Sequence, residues 1–456
     1  MTTMDGQHFS SRAGFVLAAI GSAVGLGSIW KFPYEVGENG GAAFLVFYVG
    51  GLVLVVVPLL LAEFVVGRRG GNDVVQCITA AAREDGRSPA WGLAGVLALS
   101  GGFLLTTYYA VIAGMTMDYA VRAAIVGFRG ADTAQAQAAY DALVGDPLRL
   151  AAWQSAFLAL TVAVVARGVA RGIEAACMVL MPLLALCMAA LVVYAAIAGD
   201  LVAAAGFLFA PRLEDFGARA ALEALGLGFF SIGVGFGAMA TYAAYTGRDV
   251  HLGAAAVTII VGDTLVSVLA GLAVFPLVFA YGLDPASGTG LVFVTLPIAF
   301  GRLPGGDVVA AGFFFLLFVA ALASTLSLVE LVVAPLRRWT AWSRGRTAVV
   351  AGFAIWAGGI PTVLSFNVLR EARPLAWVPT LAGMDVYGLV DGLTSNILLP
   401  LGGVLFAAVV GGGMPAARIA EALGCTPAAA SRLQAILRWP VPAIILLLVV
   451  AGFVLP

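Results

Sequence analysis

The sequence predicts an all-α membrane protein: eleven transmembrane helices arranged as a 5+5 inverted repeat, with helices 1 and 6 broken and an extra eleventh helix. Three observations carry that expectation. Of the 456 residues, 62% are hydrophobic and 11% charged, against about 25% charged in a soluble domain, so polar surface is too scarce for water. Apolar stretches of about 20 residues, the length that crosses a bilayer, recur eleven times. Two glycine-interrupted tetrads, Val24-Gly25-Leu26-Gly27 and Val234-Gly235-Phe236-Gly237, occupy the middle of the first and the sixth stretch.

The first span covers 13–35, and its segment GSAVGLGSIWKFPY (21–34) holds three glycines, a proline and Lys31, the only lysine in the chain. The second span, 41–66, runs into LLLAEFVVGRRGG (59–71), and the third, 92–121, contains TTYYAVIAG (106–114). The fourth, 151–167, is short; the fifth, 172–198, opens on RGIEAACMVLMP (171–182). FFSIGVGFGAMATYAAY (229–245) lies in the sixth, 220–246. VGDTLVSVLAG (261–271) places Asp263 inside the seventh, 253–282, where a carboxylate marks a functional position by default. The eighth to eleventh spans are 307–335, 347–366, 387–411 and 440–456. Five spans per half is an odd number, so the halves, 13–198 and 220–411, must have opposite topology; 440–456 is an addition, and 1–456 is expected to form one transmembrane domain. Glu63, Glu174 and Glu330, within or near spans, are read as packing and hydrogen-bonding residues.

Loop arginines set the orientation. Of 23 arginines, Arg122, Arg129, Arg149, Arg212, Arg219, Arg302, Arg370 and Arg373 fall on one side, which leaves fifteen on the side of the N-terminus. The bias places the N-terminus in the cytoplasm and the C-terminus outside a cell inner membrane. MTTMDGQHFSSR lacks a basic n-region and a small-residue cleavage site, so no removable signal peptide is expected. Cys77, Cys177, Cys187 and Cys425 show neither metal spacing nor a disulfide framework. No basic cluster suits nucleic acid, and no nucleophile-elbow, P-loop or metalloprotease motif suggests an enzyme.

The glycine pair points to function. An unpaired amide or carbonyl in lipid costs several kcal/mol, roughly, so a helix breaks at membrane depth only where something satisfies the freed groups. Broken ends offer N–H groups to an anion and carbonyls to a cation. A zwitterion with a metal ion satisfies both. Matching glycine-broken segments in two halves are the expected pointer to a transporter's central site.

These stretches, with GSAVGLGSIWKFPYEVGENGG (21–41), GLVFVTLPIAF (290–300) and LVDGLTSNILLPLGG (389–403), resemble the neurotransmitter:sodium symporter family over nearly the whole chain, in order. Its bacterial members are amino acid transporters with the leucine-transporter fold, a type case of inverted repeats. The resemblance implies that substrate carboxylate meets the Gly25–Gly27 amides and the Tyr109 hydroxyl. It implies that the amine meets carbonyls near Ala23, Phe230 and Ser231, and that the side chain meets Leu105, Phe230, Phe236, Ser324 and Leu328. Family members that carry monoamines have an aspartate at the position of Gly25, so this chain is expected to take a substrate with its own carboxylate. Gly233 stands where relatives often have serine, which widens the pocket toward hydrophobic or aromatic amino acids.

For sodium, the resemblance implies one ion at the Ala23 carbonyl, the side chains of Ser28, Ser231 and Asp263, and the substrate carboxylate. A second meets carbonyls of Gly21, Val24 and Ala320 and the hydroxyl of Ser324. Most relatives have asparagine at 28 and a side-chain oxygen at 323; here stand Ser28 and Ala323. Both sites are therefore thinner. One sodium instead of two, proton coupling through Asp263, sodium-independent exchange, and a sensor that binds without net transport stay open. The fixed charge of Asp263 implies chloride independence, since relatives that use chloride bind it near this ion through residues including a serine that matches Ser267. An outer gate is expected from Lys31 and Asp391. The usual inner pair falls on Gly6 and Arg338 and is lost, while Gly172 and Pro182 match a spacing that lets the fifth span unwind.

Overall fold

The computed structural model describes residues 8–214, 216–283 and 290–454, and among them all regular elements are helical. Nine helices are long and apolar enough to cross a membrane: Ala42–Arg68, Pro89–Ile125, Pro147–Val165, Val169–Ala198, Leu252–Ala280, Gly306–Thr340, Arg344–Ser365, Val386–Gly411 and Pro427–Gly452. The pair Arg12–Ala23 and Gly27–Glu38, bent by 52° at the first glycine tetrad, makes a tenth if counted as one span. The expected sixth span consists of two shorter helices, Ala218–Ile232 and Ala238–Ala244, separated at the second tetrad. Large apolar side chains such as Val46, Leu186, Ile197 and Val261 face outward.

Local chemistry explains where these helices begin and bend. Ser11 caps the first, its hydroxyl accepting from the Gly14 amide at 2.9 Å. Four wide, π-helical turns follow one pattern: Gly27–Lys31, Leu52–Val56, Leu291–Thr295 and Leu393–Leu398 each end two residues before a proline. Proline has no N–H and its ring collides with the carbonyl four residues back, so a widened turn relieves the collision without ending the helix. The fifth span is not unwound. Gly172 lies in a π-helical turn, Val169–Glu174, and the helix continues through Pro182.

The third and eighth spans, Pro89–Ile125 and Gly306–Thr340, are the most enclosed and pack along each other at the centre. Their facing side chains, including Tyr109 and Ser324, therefore lie deep in the bundle beside the two breaks. All four cysteines are free; on the loop helix Val74–Glu84, burial pushes the Cys77 thiol up to about 12 and leaves it inert at neutral pH.

Candidate functional site

The sixth-span break is built on glycine. Gly233, Gly235 and Gly237 have φ of 70°, 106° and 81°, the left-handed region where a Cβ is strained. The amides freed there go to Glu63, fully buried on the second span. Its carboxylate accepts from Gly235 N at 2.6 Å, Ala240 N at 3.2 Å and Gly237 N at 3.4 Å. Glu63→Gln retains one acceptor oxygen but turns an NH₂ donor toward these amides. It is expected to destabilise the fold by about 2–3 kcal/mol, read as a lowered melting temperature of the purified protein.

Between the two breaks lies a cavity of about 30 Å³. Of the residues expected for the substrate, Ala23, Gly25, Gly27, Leu105, Tyr109, Phe230, Ser231, Gly233, Ser324 and Leu328 line it. Phe236 does not: its ring turns toward Gly101, at which a Cβ would come within 2.9 Å. Ser22, Ile232 and Ala238, which motif reading passed over, complete the wall. Tyr109 reaches across to the first break, its hydroxyl accepting from Leu26 N at 3.0 Å. Close approach explains the glycine at 25: a Cβ would stand 2.7 Å from the Tyr109 hydroxyl and 3.2 Å from Ser324 Oγ.

Beside the cavity, Asp263 collects hydroxyls. Ser28 Oγ donates to Oδ1 at 2.5 Å; Ser231 Oγ and Tyr48 OH donate to Oδ2 at 2.8 and 3.2 Å. Ser28 and Ser231 lie 3.0 Å apart, and all four residues are buried. The structure thus brings together Ser28, Ser231 and Asp263 and adds Tyr48. Position alone gave no sign of Tyr48, because it comes from the second span. The donors are all oxygen, the preference of a hard cation, and among the described residues no cluster of three or more His, Cys, Asp or Glu is placed for another metal.

At the second expected ion position, Ser324 Oγ donates to the Ser22 carbonyl at 3.0 Å, next to buried Val24 and Ala320. The methyl of Ala323 faces Gly21, at which a Cβ would lie 3.2 Å away.

Lys31 and Asp391 stand apart. The Lys31 ammonium lies over the Phe230 ring, 5.1 Å from its centroid, while Asp391 accepts from Tyr108 OH at 2.8 Å and Ser395 Oγ at 3.0 Å. Among the described residues no ion pair joins the two. Above them the loop between spans seven and eight closes over the first span, with Phe293 edge-on to Trp30 at 5.6 Å and its carbonyl held by Tyr119 OH at 2.9 Å. On the N-terminal side, Glu174 accepts from Ser10 and Ser11, and Arg344 donates to Glu330 at 2.5 Å. Gly6 lies outside the described residues; Arg338 pairs with Asp73.

The chain matches the model of the sodium:neurotransmitter symporter family over residues 6–127 and 147–364. It is 36% identical over 400 residues to the uncharacterized sodium-dependent transporter YhdH of Bacillus subtilis (strain 168), covering 88% of this chain and 86% of the relative. An uncharacterized sodium-dependent transporter of Haemophilus influenzae is 30% identical over 421 residues, covering 90% of each chain. Among solved structures, MhsT in complex with L-phenylalanine superposes with a TM-score of 0.89 at 37% identity, covering 98% of this chain and 99% of that one.

Proposed function

Because the chain belongs to the sodium:neurotransmitter symporter family, and is thus a multi-pass, sodium-dependent membrane transporter and not an enzyme, we propose that it imports a neutral, hydrophobic or aromatic L-amino acid by alternating access. The observation that carries this reading is the convergence of both helix breaks, Tyr109 and the Asp263 hydroxyl cluster on one enclosed cavity. In support, the structural neighbour MhsT holds L-phenylalanine.

In this reading the carboxylate meets the Gly25–Gly27 amides and the Tyr109 hydroxyl. The amine meets carbonyls near Ala23, Phe230 and Ser231. The side chain lies toward Gly233, where nothing stands within 4 Å of a notional Cβ, with Leu105, Phe230, Ser324 and Leu328 around it. A cavity of about 30 Å³ holds about two waters, so a large side chain must push these walls apart. Phe236, behind the wall, is then the residue that a bulky ligand reaches by displacement.

Sodium is a co-transported substrate here. One ion takes the Ala23 carbonyl, Ser28, Ser231, Asp263 and the substrate carboxylate, and a shared carboxylate makes binding of ion and amino acid mutually favourable. A second takes carbonyls of Gly21, Val24 and Ala320 with Ser324 Oγ. The methyl of Ala323 favours one tightly held ion with the second weaker. Ala323→Thr, which restores an oxygen beside Gly21, is expected to tighten sodium several-fold in a sodium titration of thermal stability. No change would remove the ion from this site.

The halves 13–198 and 220–411 act as the two inverted repeats, with 440–456 added. The N-terminus lies in the cytoplasm of a cell whose inner membrane holds the protein, and the C-terminus lies outside. Lys31 and Asp391 close the outer side once Phe230 and Tyr108 release them. The fixed charge of Asp263 makes transport chloride-independent.

The test is thermal stability of the purified protein against a panel of amino acids in NaCl, sodium gluconate or choline chloride. A ligand that binds the folded state raises apparent stability by mass action. Hydrophobic amino acids should raise it in both sodium salts and not in choline chloride. A shift indifferent to sodium but dependent on pH would replace sodium coupling by proton coupling through Asp263. Binding without counterflow in proteoliposomes would make the protein a sensor.

A further inference from the structure

One short segment of the first loop on the N-terminal side, Asn72-Asp73-Val74, touches both elements that must part for the cavity to open in that direction. The side chain of Asp73 is fully buried and accepts from Arg338 Nε at 2.7 Å and Nη2 at 3.3 Å, at the end of the eighth span. The Tyr245 hydroxyl, just past the inner half of the sixth span, is shared between the Asn72 carbonyl at 3.1 Å and Glu330 Oε1 of the eighth span at 2.9 Å. Val74 packs on the break itself: a Cβ at Gly237 would stand 2.4 Å from Val74 Cγ2. Ala238–Ala244 and Gly306–Thr340 are thus fastened to each other directly, through Tyr245 and Glu330, and also through a third element.

We propose that Asp73 and Arg338 form the inner gate of this transporter, with the loop segment as its bolt. The inference rests on the alternating-access reading. Moving the inner half of the sixth span away from the eighth requires the loop to leave one of them. Leaving Arg338 strands the buried carboxylate of Asp73 without its counter-charge, so the closed state is held by more than an exposed ion pair supplies. The base here sits on the span and the acid on the loop, so closure on this side needs no arginine from the N-terminal segment.

Asp73 also caps the helix Val74–Glu84, accepting from Gln76 N at 3.0 Å, so the variant must keep that role. Asp73→Ser retains a capping oxygen and removes the charge. Hydrogen–deuterium exchange of the full chain in sodium should show at least roughly tenfold faster exchange in Ala238–Ala244 for Asp73→Ser and Arg338→Gln, with Arg338→Lys, which keeps the charge and loses the fork, between them and wild type. Wild-type exchange in both charge-removing variants would overturn the gate. So would an equal acceleration in every helix, which signals general destabilisation. Absence of counterflow by the wild-type protein would instead overturn the transport reading and leave the exchange result standing.

Discussion

Asp263→Asn is expected to weaken sodium binding about 100-fold or more, the largest single effect in this protein. Three hydroxyls, from Ser28, Ser231 and Tyr48, donate to a carboxylate that has no exposed surface. A cation placed among them would lose its hydration, and of the proposed ligands that would replace it only Asp263 and the substrate carboxylate carry charge. Removing one partner of a buried charge pair costs about 3–5 kcal/mol, and each 1.4 kcal/mol is about tenfold. The measurement is the sodium dependence of amino acid uptake into proteoliposomes, in chloride and in gluconate. The wild-type protein should work equally in both. The variant should need far more sodium and recover partly with chloride, which replaces the missing negative charge. Wild-type sodium dependence in Asp263→Asn would show that the carboxylate is no ligand.

Gly25→Ala is expected to weaken amino acid binding by about 10- to 100-fold while leaving the fold intact. The added methyl meets the Tyr109 hydroxyl at 2.7 Å and Ser324 Oγ at 3.2 Å. Tyr109 is anchored to the Leu26 amide and Ser324 to the Ser22 carbonyl, so neither retreats without giving up a hydrogen bond. Overpacking of this kind costs about 1–3 kcal/mol. Here it falls on the donors proposed for the substrate carboxylate, so the cost appears in affinity. Isothermal titration with L-phenylalanine in saturating sodium reads it directly. An unchanged dissociation constant would move the carboxylate away from the first break.

How much of this was legible beforehand follows from the range of each interaction. Composition and apolar length needed no partner to be read, so the spans were visible within a few residues. Ends shifted, as where Pro427–Arg438 and Pro440–Val454 run on as one candidate crossing, and the expected sixth span is not among the long apolar helices of the described residues. Asp263 was visible because a carboxylate in an apolar run is conspicuous wherever it points. The missed residues carry no such mark. Tyr48 reads as an ordinary interfacial or packing tyrosine, and its bond to Asp263 spans 215 positions. Glu63 read as a hydrogen-bonding residue, but not as the acceptor for a break 172 positions away. Lys31 and Asp391 were paired by their positions in the family resemblance, yet neighbours from other spans contact each of them. Arg338 looked orphaned because its expected partner position was glycine; the acid that meets it lies 265 positions earlier, in a loop.

The sequence by itself determined that the chain lives in a bilayer, which stretches are long and apolar enough to cross it, and where two helices must break. Those follow from transfer free energies and from glycine's lack of a Cβ, which act on each segment alone. Which oxygens gather around Asp263, which carboxylate secures the sixth-span break, and which charges face one another were decided only by tertiary structure. Each of those depends on distances of about 3 Å between spans far apart in the chain, and hydrogen bonding is a property of such distances.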